Sequence, residues 1–356
     1  MCRGRRDEPV RIDRPSGTDG PADREALSER ADDRGELRER LWRLPPGHPS
    51  SPVQADGTPR PPEPGLRYIE SLDASRPDDA DSRPLSDADY ADHVTKVKET
   101  LDKARAEGLA TEFRYVTDPD GETWTRERRV DHNAIINDLY EAASQVPCER
   151  RAILAGGLPG AGKTTVLEQH AGIDRSQYLT INPDDVKNEM AKRGMIPRVA
   201  GLSPMEASDL VHEESSHIAK QLSVRALAVG KNVIWDITMS SRQSTERRIS
   251  DLRTAGYSKV EGVFIDIPVD VGVQRSEARH RAGHDSYRAG LGQGGRFVPA
   301  EVIRSQADPE WGSRNRKTFE QVKPQLDAWL RCDNSVDGRA PVLVESSGGK
   351  DEEDKQ

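Results

Sequence analysis

The chain has 356 residues, with 53 lysines and arginines against 62 aspartates and glutamates, giving a formal net charge of −9. This acidic balance argues against a general nucleic-acid surface, and no apolar run approaches the ~18 residues of a membrane-spanning helix. Cys2, Cys148 and Cys332 are scattered without a C-x-x-C pair, so neither a zinc site nor a disulfide framework is indicated, and the expectation is a cytoplasmic protein without membrane partners.

Residues 1–88 read as a disordered, proline-rich tail. The first 90 residues hold 13 of the 24 prolines and no phenylalanine, too little apolar surface to offset the entropy of ordering them. Within the tail, Arg24 to Trp42 is amphipathic and reads as a solvated nascent helix, with folding against a partner as the alternative. Residues 89–148 predict a helix-hairpin-helix extension. Val94, Val97, Leu101 and Ala104 recur at helical spacing; Thr111–Val116 and Glu122–Arg128 flank a Pro119-Asp120-Gly121 turn; Ile135, Ile136, Leu139 and Ala142 line one face of an entry helix from Asn133 to Gln145.

From 149 to 346, short apolar runs alternate with amphipathic helices, the pattern of a parallel sheet with crossover connections. The expected fold is a P-loop NTPase-type α/β three-layer sandwich with a mainly parallel five-stranded sheet. Strands are expected at 152–155, 178–181, 232–236, 260–267 and 341–344, with helices at about 184–193, 204–229, 241–255, 269–282 and 315–331. Ser203-Pro204-Met205-Glu206 reads as a capping box. Residues 347–356 read as a disordered acidic C-terminus.

The chemistry begins at Gly157-Leu158-Pro159-Gly160-Ala161-Gly162-Lys163-Thr164-Thr165, which contains G-x-x-x-x-G-K-[ST] and follows the apolar run Ala152-Ile153-Leu154-Ala155. Backbone N–H groups of such a glycine turn can wrap phosphate oxygens. The motif predicts ATP as cofactor, with Lys163 reaching the β/γ-phosphates and the Thr164 hydroxyl on Mg²⁺. The second predicted strand ends at Asn182-Pro183-Asp184-Asp185, on the sheet edge that carries the P-loop. Asp184 could there accept the proton of an attacking hydroxyl, while Asp185 reads as an ordinary helix-start residue. Asn232-Val233-Ile234-Trp235-Asp236 has the form of a Walker B strand, so Asp236 could hold Mg²⁺ through water or bind a substrate hydroxyl. Arg275, Arg279, Arg281, Arg288 and Arg296 flank a glycine-rich stretch and suit the gripping of phosphates. His212 and His217 are five apart and diverge on a helix, which sets a metalloprotease motif aside. Trp311, Phe319 and Trp329 read as core.

With these residues assembled, positions 150–345 resemble the zeta-toxin family of P-loop kinases. Gly157 to Thr164 looks like the family's G-x-P-G-S-G-K-T loop. Asn182-Pro183-Asp184 falls at its D-x-D, Ile234-Trp235-Asp236-Ile237-Thr238 at its I-E-G-T, Ala278-Arg279-His280 at its E-R-Y, and Gly295-Arg296-Phe297 at its following arginine segment. The resemblance implies phosphorylation of a hydroxyl of a nucleotide-activated sugar, UDP-N-acetylglucosamine. It gives Asp184 the role of base, places Asp184, Asp236 and Thr238 at the substrate and sets Arg279 and Arg296 on phosphates. It also allows an antitoxin protein as partner, though no residue identifies one. The sequence departs from the pattern at Asn182, at Asp236 in place of glutamate, and at Ser240, where an arginine usually stands and Arg242 follows. Those departures keep two alternatives open: a kinase for another acceptor, such as a nucleotide cofactor, an antibiotic or a polynucleotide end, and a non-catalytic nucleotide-dependent switch.

Overall fold

The computed structural model describes residues 84–118 and 121–348. Both the expected tail, apart from its last residues, and the Arg24–Trp42 stretch lie outside the described residues. Among those described, no helix is long and apolar enough to cross a membrane.

Strand β1 (Arg151–Gly156) carries five buried residues in succession, as a strand covered on both faces must. It pairs in parallel with β3 (Val233–Asp236) on one side and β4 (Lys259–Asp266) on the other. With β2 (Leu179–Ile181), β7 (Ala328–Asp333) and β8 (Val342–Ser346) it forms a six-stranded sheet in the order β2-β3-β1-β4-β7-β8, of which β8 alone runs antiparallel to its neighbour. A two-stranded hairpin, β5 (Ala307–Asp308) and β6 (Gly312–Ser313), stands apart. Alternation along β1 divides the core. Ala152 and Leu154 join a cluster with Trp235, Leu210 and Ile218, while Ile153 and Ala155 join Val166, Ile234, Val263 and Ile265 on the opposite face. The three-layer α/β reading and the central place of the P-loop strand therefore hold.

Two expectations are corrected. The sheet has six strands because the helix expected at 315–331 stops early, as α9 (Arg314–Val322) and a 3₁₀ turn containing Pro324. Proline offers no N–H to continue a helix. Beyond it the Asp327 carboxylate accepts the Val260 amide at 2.6 Å, fixing the start of β7. Nor does the hairpin form in the extension. Helix α1 (Asp87–Ala106) is followed by the short α2 (Thr111–Tyr115) and then by α3 (Arg126–Ala142), and among the described residues the isolated pair Val116 and Trp124 bridges across the turn. Thr111 is buried with its hydroxyl on the Leu210 carbonyl, and the Thr125 hydroxyl caps α3, so both strand-like runs are taken up by helices that dock on the core.

Helix α6 (His212–Ala228), entered through a 3₁₀ turn (Glu206–Val211), receives that extension. Its Glu214 is fully buried and accepts two bonds from the Arg128 guanidinium, at 2.7 and 3.0 Å, and lies 2.6 Å from His132 Nε2. Arg128 also donates to the Met195 carbonyl and lies over the Tyr115 ring. A charge removed from water needs this degree of pairing.

Candidate active site

The edge formed by the carboxyl ends of β1, β2 and β3 opens into a cleft of about 780 Å³. At its floor the chain leaves β1 through Gly157 and turns at Gly162, whose φ of 78° is left-handed and whose missing Cβ leaves room for Asn334. Asn334 donates to the Ala161 carbonyl at 2.8 Å, and Arg275 reaches the Gly160 carbonyl at 3.4 Å while pairing with Asp337, so the loop is held from outside. Helix α4 (Lys163–Gln169) starts directly after Gly162, which leaves its first amides pointing at the cleft. Pro159 to Thr164 line the cleft. Leu158 is buried in the core, so its contribution to a ligand is its backbone; neither Gly157, Leu158 nor Thr165 is in the lining.

Lys163 Nζ lies 3.3 Å from the Gly157 carbonyl and 3.5 Å from Asp236 Oδ1. The other Asp236 oxygen accepts from Asn182 Nδ2 at 3.1 Å. Asn182 is also the cap of α5 (Pro183–Lys192), its side-chain oxygen taking the Asp184 amide at 2.9 Å, so one asparagine ties the ends of β2 and β3 together and presents Asp184 to the cleft. Asp184 then pairs with Arg296 and lies 3.8 Å from Lys187.

Burial lowers the Arg296 pKa to about 10, and its buried Nε finds no hydrogen-bond acceptor among the described residues. Arg279, on α8 (Val269–Arg288), lines the same cleft. It stays open to solvent there, yet the surrounding protein lowers its pKa, with the Asp236 charge opposing. The predicted arginine set divides here. Arg279 and Arg296 face the cleft, Arg275 braces the loop, and Arg281 turns away to Asp87 and the Leu85 carbonyl.

Thr238 lies where β3 leaves the sheet. Its carbonyl accepts from Gly157 N at 3.4 Å and Asn315 Nδ2 at 2.8 Å, and its hydroxyl donates to Ser240 at 3.1 Å. Met239 follows with a left-handed φ of 58°, a strained conformation for a side chain. Arg242 pairs with Glu246 and does not line the cleft; Arg248, one helical face further along α7 (Arg242–Thr254), does, over the Trp235 ring. Sequence reasoning missed Arg248 and Lys187. The signal for Lys187 was its place three residues after Asp184 on a helix. A second cleft of about 600 Å³ between α3 and β2 holds no glycine loop.

A parallel sheet that aims a glycine loop, its lysine, a strand-end carboxylate and a helix-start carboxylate at one edge, beneath arginines, defines a P-loop kinase. Residues 138–325, just over half of the chain, match the family model described as zeta toxin. The chain belongs to the zeta toxin family. No curated protein matches it. Among solved structures it is similar to the AvrRxo1-ORF1:AvrRxo1-ORF2 complex with sulphate ions, at 20% identity and a TM-score of 0.47 over 63% of this chain and 68% of that one. The same complex has been solved with ATP. It is also similar to the PezAT chromosomal toxin-antitoxin system of Streptococcus pneumoniae, at 15% identity and a TM-score of 0.45 over 64% of this chain and 82% of that one.

Proposed function

We propose that the protein transfers the γ-phosphoryl group of ATP to a hydroxyl of a nucleotide-activated sugar, with UDP-N-acetylglucosamine as the acceptor. The observation that carries this reading is the meeting of Asp184 with Arg296 at the mouth of the P-loop cleft. A carboxylate there can take the proton of an attacking hydroxyl, while the guanidinium beside it neutralises a phosphate.

In this reading the P-loop amides and Lys163 hold the β- and γ-phosphates, and Lys163 exchanges Asp236 for them. Thr164, exposed to the cleft, would hold Mg²⁺ through its hydroxyl with Asp236 across from it in reach through water, and the ion would supply positive charge to the phosphates. The acceptor hydroxyl attacks phosphorus as its proton passes to Asp184, the bond to the β-phosphate oxygen breaks, and ADP departs. Arg279 and Arg296 balance the charge on the transferring group, and Asp236 and Thr238 hold the sugar. An antitoxin would be the protein partner expected of a toxin-like kinase.

The test is incubation with Mg-ATP and an extract containing nucleotide sugars, nucleotide cofactors and oligonucleotides, with Lys163→Ala as control. Mass spectrometry should find one added phosphoryl group on the UDP-sugar, absent in the control. A different anionic acceptor is the second reading, favoured by the hold that Asn182 and Lys163 have on Asp236. Phosphorylation of a dinucleotide or oligonucleotide with an inert UDP-sugar would select it. A stoichiometric ATP-dependent complex without product would instead mark a switch.

A further inference from the structure

We propose that His93, Glu206 and His280, with His284 beside them, form a binding site for a divalent transition cation of the zinc type, which staples the helical extension to the kinase domain. The four residues come from three separate elements: His93 from α1, Glu206 from the 3₁₀ turn before α6, and His280 and His284 from successive turns of α8. Their nitrogens converge on one atom. Glu206 Oε1 lies 2.7 Å from His93 Nε2, 3.0 Å from His280 Nε2 and 3.1 Å from His284 Nδ1. The donor atoms of His93, Glu206 and His280 all fall within 4.8 Å of one another, while His284 reaches Glu206 Oε1 without belonging to that trio. Glu206 and His280 are buried. Meanwhile Glu206 Oε2 is occupied by the amide and hydroxyl of Ser203, both at 2.7 Å, so the carboxylate is fixed with Oε1 facing the rings.

Proton counting leaves one contact of His280 that calls for a positive centre. The Tyr90 hydroxyl has one proton and donates it to the Glu277 carbonyl at 2.9 Å. A carbonyl cannot donate in return, so the 2.8 Å contact of Tyr90 with His280 Nδ1 is made by an Nδ1–H donating to the phenol oxygen. In neutral His280 this leaves a lone pair on Nε2, aimed at a carboxylate oxygen 3.0 Å away. Two lone pairs at that separation repel unless a positive centre lies between them, either a second proton on the ring or a cation that replaces it. The arrangement of Tyr90 is also the one by which metal-binding histidines are oriented, through a partner on the other ring nitrogen.

The spacing suits the ion. Tetrahedral zinc with ligands at ~2.0–2.1 Å sets neighbouring donor atoms roughly 3.3 Å apart, so the oxygen-to-nitrogen separations here would open slightly while the His93 and His280 nitrogens, within 4.8 Å of each other, draw in on the ion. Two imidazoles and one carboxylate, with a third imidazole adjacent, favour zinc, copper or nickel over magnesium and calcium.

Such a site lies directly behind the active cleft. His280 follows Arg279 on α8, Gly295 packs on the His280 carbonyl where no Cβ would fit, and the Phe297 ring meets His280 edge-on at 5.3 Å. A cation held there would fix α1, which precedes the residues matched to the family, against the helix and the segment that carry the two cleft arginines.

The experiment uses the full chain, stripped with a chelator and titrated with Co(II) as an optical substitute for Zn(II). We expect stoichiometric binding with the visible absorption of a tetrahedral nitrogen and oxygen site, displacement by Zn(II) but not by Mg(II), and a rise in Tm on binding. Tyr90→Phe should keep the fold, checked by circular dichroism, and weaken Co(II) binding on the order of 10-fold, as loss of an orienting partner does elsewhere. His93→Gln combined with His280→Gln should abolish it. Absence of stoichiometric binding would overturn the proposal, as would binding that both Tyr90→Phe and the double variant leave unchanged.

Discussion

Asp184 and Arg296 form an ion pair across the mouth of the P-loop cleft, the carboxylate at the first turn of α5 and the guanidinium on the glycine-rich segment after α8. The pair joins the proposed proton acceptor to a charge that the protein has drawn out of water. Burial lowers the Arg296 pKa, so an incoming phosphate that accepts from its Nε supplies electrostatic stabilisation that the protein's own groups do not. On this account Arg296 exchanges part of its hold on Asp184 for phosphate as the acceptor arrives.

Lys163→Ala should leave the fold intact, because the side chain lies at the cleft and makes one carbonyl contact and one pair with Asp236. Phosphoryl transfer should fall on the order of 10²–10³-fold, the usual loss for one group aimed at developing charge. The comparison is between Tm, expected to be unchanged, and kcat/KM with ATP.

Asp184→Asn should spare nucleotide affinity and lower the chemical step by roughly 10²–10⁴-fold, since it removes a proton acceptor with little change in shape. Calorimetric titration with a non-hydrolysable ATP analogue and single-turnover rates separate the two effects. Weakened nucleotide affinity with an unchanged rate would return Asp184 to the role of a helix-start residue.

Arg128→Ala should destabilise the folded protein by about 3–5 kcal/mol, the cost of leaving a buried carboxylate without its partner. Glu214 is fully buried and His132 alone would remain beside it. Denaturant unfolding measures the loss, and Arg128→Ala combined with Glu214→Gln should recover part of it.

Acid stability should depend on Glu345 at the antiparallel edge. Its carboxyl pKa is brought down to about 2: burial acts upward, but hydrogen bonds and charge from Lys323 and Arg331 outweigh it. A carboxylate whose folded pKa lies below its unfolded value of 4.5 stabilises the fold above pH 4.5, and that contribution is lost as pH falls towards 2. Because Glu345 is about one-third exposed, the effect is discounted to about 1 kcal/mol. Wild type and Glu345→Gln should differ in stability at pH 6 and converge near pH 2.

Much of this site was legible because P-loop chemistry is local in sequence. Gly157 to Thr164 carry the loop, and Asn182-Pro183-Asp184 carries both a helix start and a sheet edge. What could not be read depended on distant partners. Trp329 and Leu330 fit a helical pattern until Pro324 stops the helix and Asp327 fastens the chain to Val260. The strand-like runs around Thr111 and Trp124 look like hairpin arms until they meet α6, whose Glu214 requires Arg128 on a helix. The histidines around Glu206 come from separated segments, and the capping box at Ser203 accounts for Glu206 so well by itself that nothing local hints at a second role.

The central claim, transfer of phosphate from ATP to a sugar hydroxyl in this cleft, is tested most directly by phosphorus NMR of purified protein with Mg-ATP and UDP-N-acetylglucosamine. The account predicts a new phosphomonoester resonance on the sugar, growing over many turnovers in step with ADP, absent with Lys163→Ala and strongly slowed with Asp184→Asn. ATP hydrolysed to free phosphate, or left untouched, while the UDP-sugar spectrum stays unchanged in the wild type, would contradict it.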